Sequence, residues 1–171
     1  MSRILRKLEG GDLRSIGRSE EVVQDILENP ALFKEVFNGM LHVDPIIRMR
    51  SADAIEKVSS KHPEYLQPFK SRLINVVSQV NQQEVRWHVA QMFSYLDVTT
   101  TEKDRIVDIL LFYLETEKSK LVQVCSIQTL TNIAKKDEKY KSQVVQRLQE
   151  IIGTGSPALV SRAKKLLKEL D

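Results

Sequence analysis

Three histidines and one cysteine are the side chains with which this chain could do metal or nucleophilic chemistry, and their spacing argues against both. His42, His62 and His88 stand apart from one another. None has a second histidine or cysteine three or four residues away, the spacing that sets two ligands on one helix face. Cys125 lies among Val122, Val124 and Ile127, where a thiol reads as a small apolar filler; a nucleophile would need a base or a positive neighbourhood. No Gly-rich phosphate loop, nucleophile elbow or Cys-x-x-Cys pair occurs. The expectation is a non-enzyme with no metal, no cofactor and no small-molecule substrate.

Side chains suited to binding are more informative. The single tryptophan, Trp87, is flanked by Arg86 and His88, and Arg48, Met49 and Arg50 form a similar triplet one period earlier. Aromatic and arginine anchors of this kind dominate protein interfaces. A separate basic group, Arg162, Lys164, Lys165 and Lys168, crowds the last 10 residues. Cations there suit the negative end of a terminal helix, and they would equally suit a phosphate backbone.

The elements that position these residues follow from a recurrence. Ile47, Ala52, Ile55 and Val58 return 38 positions later as Val85, Ala90, Phe93 and Leu96, and 37 later again as Val122, Ile127, Leu130 and Ile133. A weaker copy follows at Leu159, Leu167 and Leu170. A period of this length indicates stacked helical hairpins. Between breakers the apolar spacing is helical and no alternating run supports a sheet. Ten helices are predicted, at about 2–9, 19–28, 30–41, 45–60, 64–79, 82–96, 102–116, 119–135, 138–152 and 157–170.

Asn29-Pro30, Asp44-Pro45 and Ser156-Pro157 should each begin a helix, because proline lacks an N–H that the first turn does not use. Thr101 with Asp104, and Asn81 with Glu84, have capping-box spacing. Pro68 should kink or restart the helix that contains it.

Composition bounds the class. At 171 residues and 42% hydrophobic content, one domain spanning 1–171 is the default, with residues 1–29 as an N-terminal helical cap and 30–171 as four repeats. A lone cysteine cannot form an intramolecular disulfide, and the longest apolar run, 109–114, is six residues, far below the roughly 20 a membrane span needs. The opening residues lack the apolar stretch of a secretory signal. A cytoplasmic protein without membrane contact is expected. The net charge of +3 lies wholly in the second half, where 14 basic residues face 11 acidic ones against 12 and 12 in residues 1–85. That balance is slight for a protein built mainly to hold nucleic acid.

Over residues 30–170 the chain resembles the HEAT-repeat family, in particular its small bacterial members, through Asp44-Pro45-Ile46-Ile47-Arg48 with Ala52, Ala54 and Ile55, and Glu84-Val85-Arg86 with Ala90 and Phe93. The resemblance implies an all-α, right-handed α-α superhelix: a solenoid of about four two-helix repeats whose second helices form a concave face. It also implies that Asp44, Arg48 and Arg86 brace successive repeats. Gln123 and Val160 stand where the arginine is expected in the last two.

Members of the family act as scaffolds for a protein or peptide partner and, less often, for nucleic acid. On a helical wheel, Met49, Asp53 and Glu56 face outward, as do Trp87, Gln91 and Ser94, then Val124, Gln128 and Thr131, then Ser161, Lys165 and Lys168. Candidate partner-binding residues are therefore Arg48, Met49, Arg50, Arg86, Trp87, His88, Gln91, Val124 and Gln128. The alternative for Trp87 is packing between repeats. A duplex-binding alternative uses Arg48, Arg86, Arg162, Lys164, Lys165 and Lys168. The chain also resembles the scaffold of bacterial alkylation-repair glycosylases, but Gln91 stands one turn beyond Trp87 where their chemistry needs an acid.

Overall fold

Helices begin where the chain supplies an acceptor for otherwise unpaired N–H groups. In the computed structural model, which describes residues 1–171, every regular element is helical and no strand forms. Asn29 accepts from the Ala31 N–H at 3.3 Å and Asp44 from the Ile46 N–H at 2.8 Å, each just before a proline. The other expected caps shift. The capping box of the helix starting at Thr100 is Thr99 with Glu102, two residues ahead of the predicted pair. Gln82 rather than Asn81 precedes the helix at Gln83, and its side chain forms no cap. Ser156 also leaves its helix without a side-chain cap.

The chain divides into two compact units, 1–98 and 99–171. In the first, α1 (Arg3–Arg6), α2 (Ser19–Glu28) and α3 (Phe33–Gly39), the last entered through a 3-10 turn at Pro30–Leu32, precede the long α4 (Pro45–Lys61). Then come α5 (Pro63–Leu66), α6 (Lys70–Asn75) and α7 (Gln83–Met92). Pro68 does more than kink its helix: α5 and α6 are separated by a 3-10 turn at Gln67–Phe69, because the ring removes one backbone donor. The predicted first helix is likewise shorter, four residues long.

The centre of this unit is α4, which α2, α3 and α7 all pack against. It buries Ile47, Ala52, Ala54, Ile55 and Val58 as its apolar stripe predicts, and also Met49, Arg50, Ser51, Asp53 and Ser59. Gly39 lets α3 close on α4, since a Cβ there would overlap the Ser51 hydroxyl. On the far side of α3, Phe33 and Phe37 meet Phe69 with ring centroids 5.5 and 4.8 Å apart. Burying each such ring stabilises the unit by roughly 1.5–3 kcal/mol.

The second unit consists of α8 (Thr100–Thr116), α9 (Lys120–Lys136), α10 (Lys141–Thr154) and α11 (Pro157–Leu170). Short connections make successive helices neighbours, and α9 packs against α8, α10 and α11. Its core comprises Ile106, Leu110 and Tyr113 of α8, Val122, Ile127 and Leu130 of α9, Val144 and Leu148 of α10, and Leu159, Ala163 and Leu166 of α11. The turn at 135–141 is laced by ion pairs: Lys139 reaches Asp104 at 2.6 Å and Lys103 reaches Asp137 at 2.8 Å. No helix is long and apolar enough to cross a membrane.

Candidate functional site

The arginines of the recurring motif do one identifiable job. Arg48 donates from a terminal guanidinium nitrogen to the carbonyl of His42 at 2.8 Å, and Arg86 donates from Nε to that of Val80 at 3.1 Å. In both cases the acceptor lies six residues upstream, in the turn that leads into the helix. Gln123 repeats the contact without a charge, donating its amide to the carbonyl of Glu117 at 2.9 Å. Thus α4, α7 and α9 each carry one long donor folded back onto their own entry turn, satisfying a carbonyl that the turn leaves unpaired.

Asp44 caps α4, so the arginine contacts are to carbonyls and not to that acid. Arg48 additionally meets Gln82 Oε1 at 2.7 Å, and Gln82 donates to the Pro45 carbonyl at 2.9 Å. This ties the starts of α4 and α7 together.

Burial corrects three members of the candidate surface. Met49, Arg50 and Arg86 are buried, at 5%, 3% and 7% exposure, so none faces a partner on this surface. The wheel fails for α4 because helices cover it on three sides, including the face assigned outward. Arg50 turns instead to the N-terminal segment. Its terminal nitrogen donates to the carbonyls of Leu8 and Glu9 at 2.9 and 3.1 Å, and Nε to that of Ser15 at 3.0 Å. The segment passes so closely that a Cβ on Gly17 would lie 2.6 Å from the guanidinium carbon, and Gly17 has φ +54°. That backbone conformation favours glycine.

Asp53, also assigned outward, is buried at the heart of an ionic cluster. Ser19 donates to its Oδ2 at 2.5 Å, and Lys57 lies 2.9 Å from the same oxygen while also reaching Glu20 at 2.5 Å. His88 Nε2 stands 3.9 Å from Asp53 Oδ1. Burial pushes the imidazole down to about 4; the Asp53 carboxylate opposes this and Lys57 reinforces it. His88 is therefore neutral at pH 7, and its Nδ1 is buried without a partner. Only the i, i+4 spacing of Asp53 and Lys57 was visible in sequence.

What remains accessible is narrower than predicted. Trp87 is half-buried, its ring 5.6 Å from that of His88, and Gln91 one turn on is half-buried too. Of the remaining outward positions in this unit, Glu56 is half-buried and accepts from the Tyr95 hydroxyl at 2.6 Å. In the second unit Val124 and Gln128 are half-buried, and Gln128 bonds Asn132 and accepts from Arg162. Thr131, expected outside, is buried with its hydroxyl on the Ile127 carbonyl. Lys164, Lys165 and Lys168 are exposed on α11, and none makes a salt bridge. Cys125 is buried. No group of three or more His, Cys, Asp or Glu side chains is placed to hold a metal ion. No family model, curated protein or solved structure matches the chain.

Proposed function

We propose that this chain is a non-catalytic helical-repeat module of the HEAT-like type that holds a protein or peptide partner against the half-buried edge of α7. The observation that carries the reading is the donor-to-carbonyl contact shared by Arg48, Arg86 and Gln123. It occurs at steps of 38 and 37 residues, so the period in the sequence is a period in local geometry. Repeat hairpins of this kind stack into an extended binding surface in a superhelical solenoid. Trp87 and Gln91 on α7 are the positions offered to the partner. A half-buried indole is the anchor such interfaces use.

Because the chain has one tryptophan, its emission reports on this surface directly. Affinity capture with wild-type protein and Trp87→Ala, each immobilised at equal density, should recover a partner only with the wild type. The purified partner should then blue-shift the indole emission. Equal recovery by both proteins, or recovery of nothing by either, refutes the reading.

Exposed Lys164, Lys165 and Lys168 on α11 favour a second reading, duplex binding. It requires an affinity that falls steeply with salt. No binding at low ionic strength removes it.

A further inference from the structure

We infer that residues 99–171 contain a binding site for a small phosphate-bearing molecule, in a pocket where α9 and α11 begin beside the C-terminal half of α10. The pocket measures about 370 Å³, inside the range of roughly 300–1,000 Å³ typical of small-molecule sites. Its charged lining is three cations, Lys118, Lys120 and Arg147, against one carboxylate, Glu150. Arg147 is fixed on the wall by Glu115 at 2.9 Å and Glu150 at 3.2 Å. Lys118 and Lys120 are exposed and make no ion pair.

Two further features concern the helix starts at this corner. Neither α9 nor α11 has an acidic residue in its first turn, although the positive end of a helix favours one. Lysines instead occupy the start of α9, a placement that is unfavourable until an anion arrives. On α11, Pro157 has no N–H and Ser156 provides no side-chain cap, so the first-turn amides of Ala158 and Leu159 await an acceptor. Ser156 lines the same pocket, and its hydroxyl, shielded from solvent, has no hydrogen-bond partner.

Two ammonium groups, a hydroxyl and backbone amides match a phosphate, which offers close to two negative charges and three acceptor oxygens. Leu114, Ile151 and Leu159 supply apolar wall for the organic part of the ligand.

The test is a titration of ¹⁵N-labelled protein with inorganic phosphate, ribose 5-phosphate and acetate at constant ionic strength, followed through the amides of Lys120, Leu121, Ala158 and Leu159. Saturable shifts at those amides are expected with both phosphates. Lys118→Ala/Lys120→Ala should weaken that binding at least tenfold, and Ser156→Ala severalfold. Lys120→Glu provides a second variant, and unchanged far-UV circular dichroism verifies the fold of each. Shifts no greater than those caused by sodium chloride, saturation by acetate in place of phosphate, or affinity unchanged in the lysine variants would each overturn the assignment.

Discussion

The imidazole of His88 on α7 stands 3.9 Å from the carboxylate of Asp53 on α4, and the two are nevertheless not an ion pair at neutral pH. Burial holds His88 uncharged, while Asp53 takes its hydrogen bond from Ser19 and its counter-charge from Lys57. The contact between α4 and α7 therefore depends on a histidine that must stay neutral.

Stability should track that requirement. With the folded value near 4 and the ordinary value at 6.5, the unfolded chain binds the proton first as pH falls. The contribution is complete above pH 6.5 and is lost as pH approaches 4, amounting to on the order of 3 kcal/mol. Urea melts of wild type and His88→Asn across this interval check it. The stability difference between them should shrink steadily toward acid, and a difference independent of pH contradicts the account.

Arg50 should behave as an internal clamp on the N-terminal segment. Arg50→Met leaves the Leu8, Glu9 and Ser15 carbonyls without their donor and should cost about 3 kcal/mol. Arg50→Lys should not restore it, because one ammonium cannot span all three acceptors. The local readout is tryptic cleavage after Arg14 and Arg18, both exposed, which should rise more than tenfold in Arg50→Met.

The shared brace can be weighed by comparing its charged and neutral forms. Gln123→Ala should destabilise by about 1 kcal/mol, the scale of a neutral hydrogen bond, and Arg86→Ala by about 2–3 kcal/mol, the scale of a charged buried one. Denaturant midpoints measure both. A neutral result for Gln123→Ala would mean that water replaces the contact freely.

The capping box of α8 is testable at a single hydroxyl. Thr99→Ala removes the acceptor for the Glu102 N–H, which it meets at 3.3 Å, and should cost about 1 kcal/mol. Thr101→Ala, two residues on, should change stability by less than about 0.5 kcal/mol. Thermal melts of the two proteins separate them.

Much of the helical scaffold could be read from local rules. Asn29 and Asp44 ahead of prolines started helices where capping chemistry requires, and Pro68 interrupted one. The α8 cap was misplaced because Thr99 and Thr101 offer the same hydroxyl, and the backbone conformation at Thr99 decides between them. The candidate surface was legible only in part. Trp87 and Gln91 remain half-exposed, while Met49, Arg50 and Arg86 are inside.

The division has a physical cause. Periodicity, proline and capping residues act within a few positions along the chain, so the amino-acid order is enough to specify an all-helical protein with a repeat near 37 residues. Whether a polar side chain on such a helix meets solvent depends on how many neighbours surround it. Arg50 and Asp53 are enclosed because α2, α3 and α7 all converge on α4, and their partners Ser15 and Ser19 lie 35 and 34 residues away. Contacts across that distance exist only after the helices have packed.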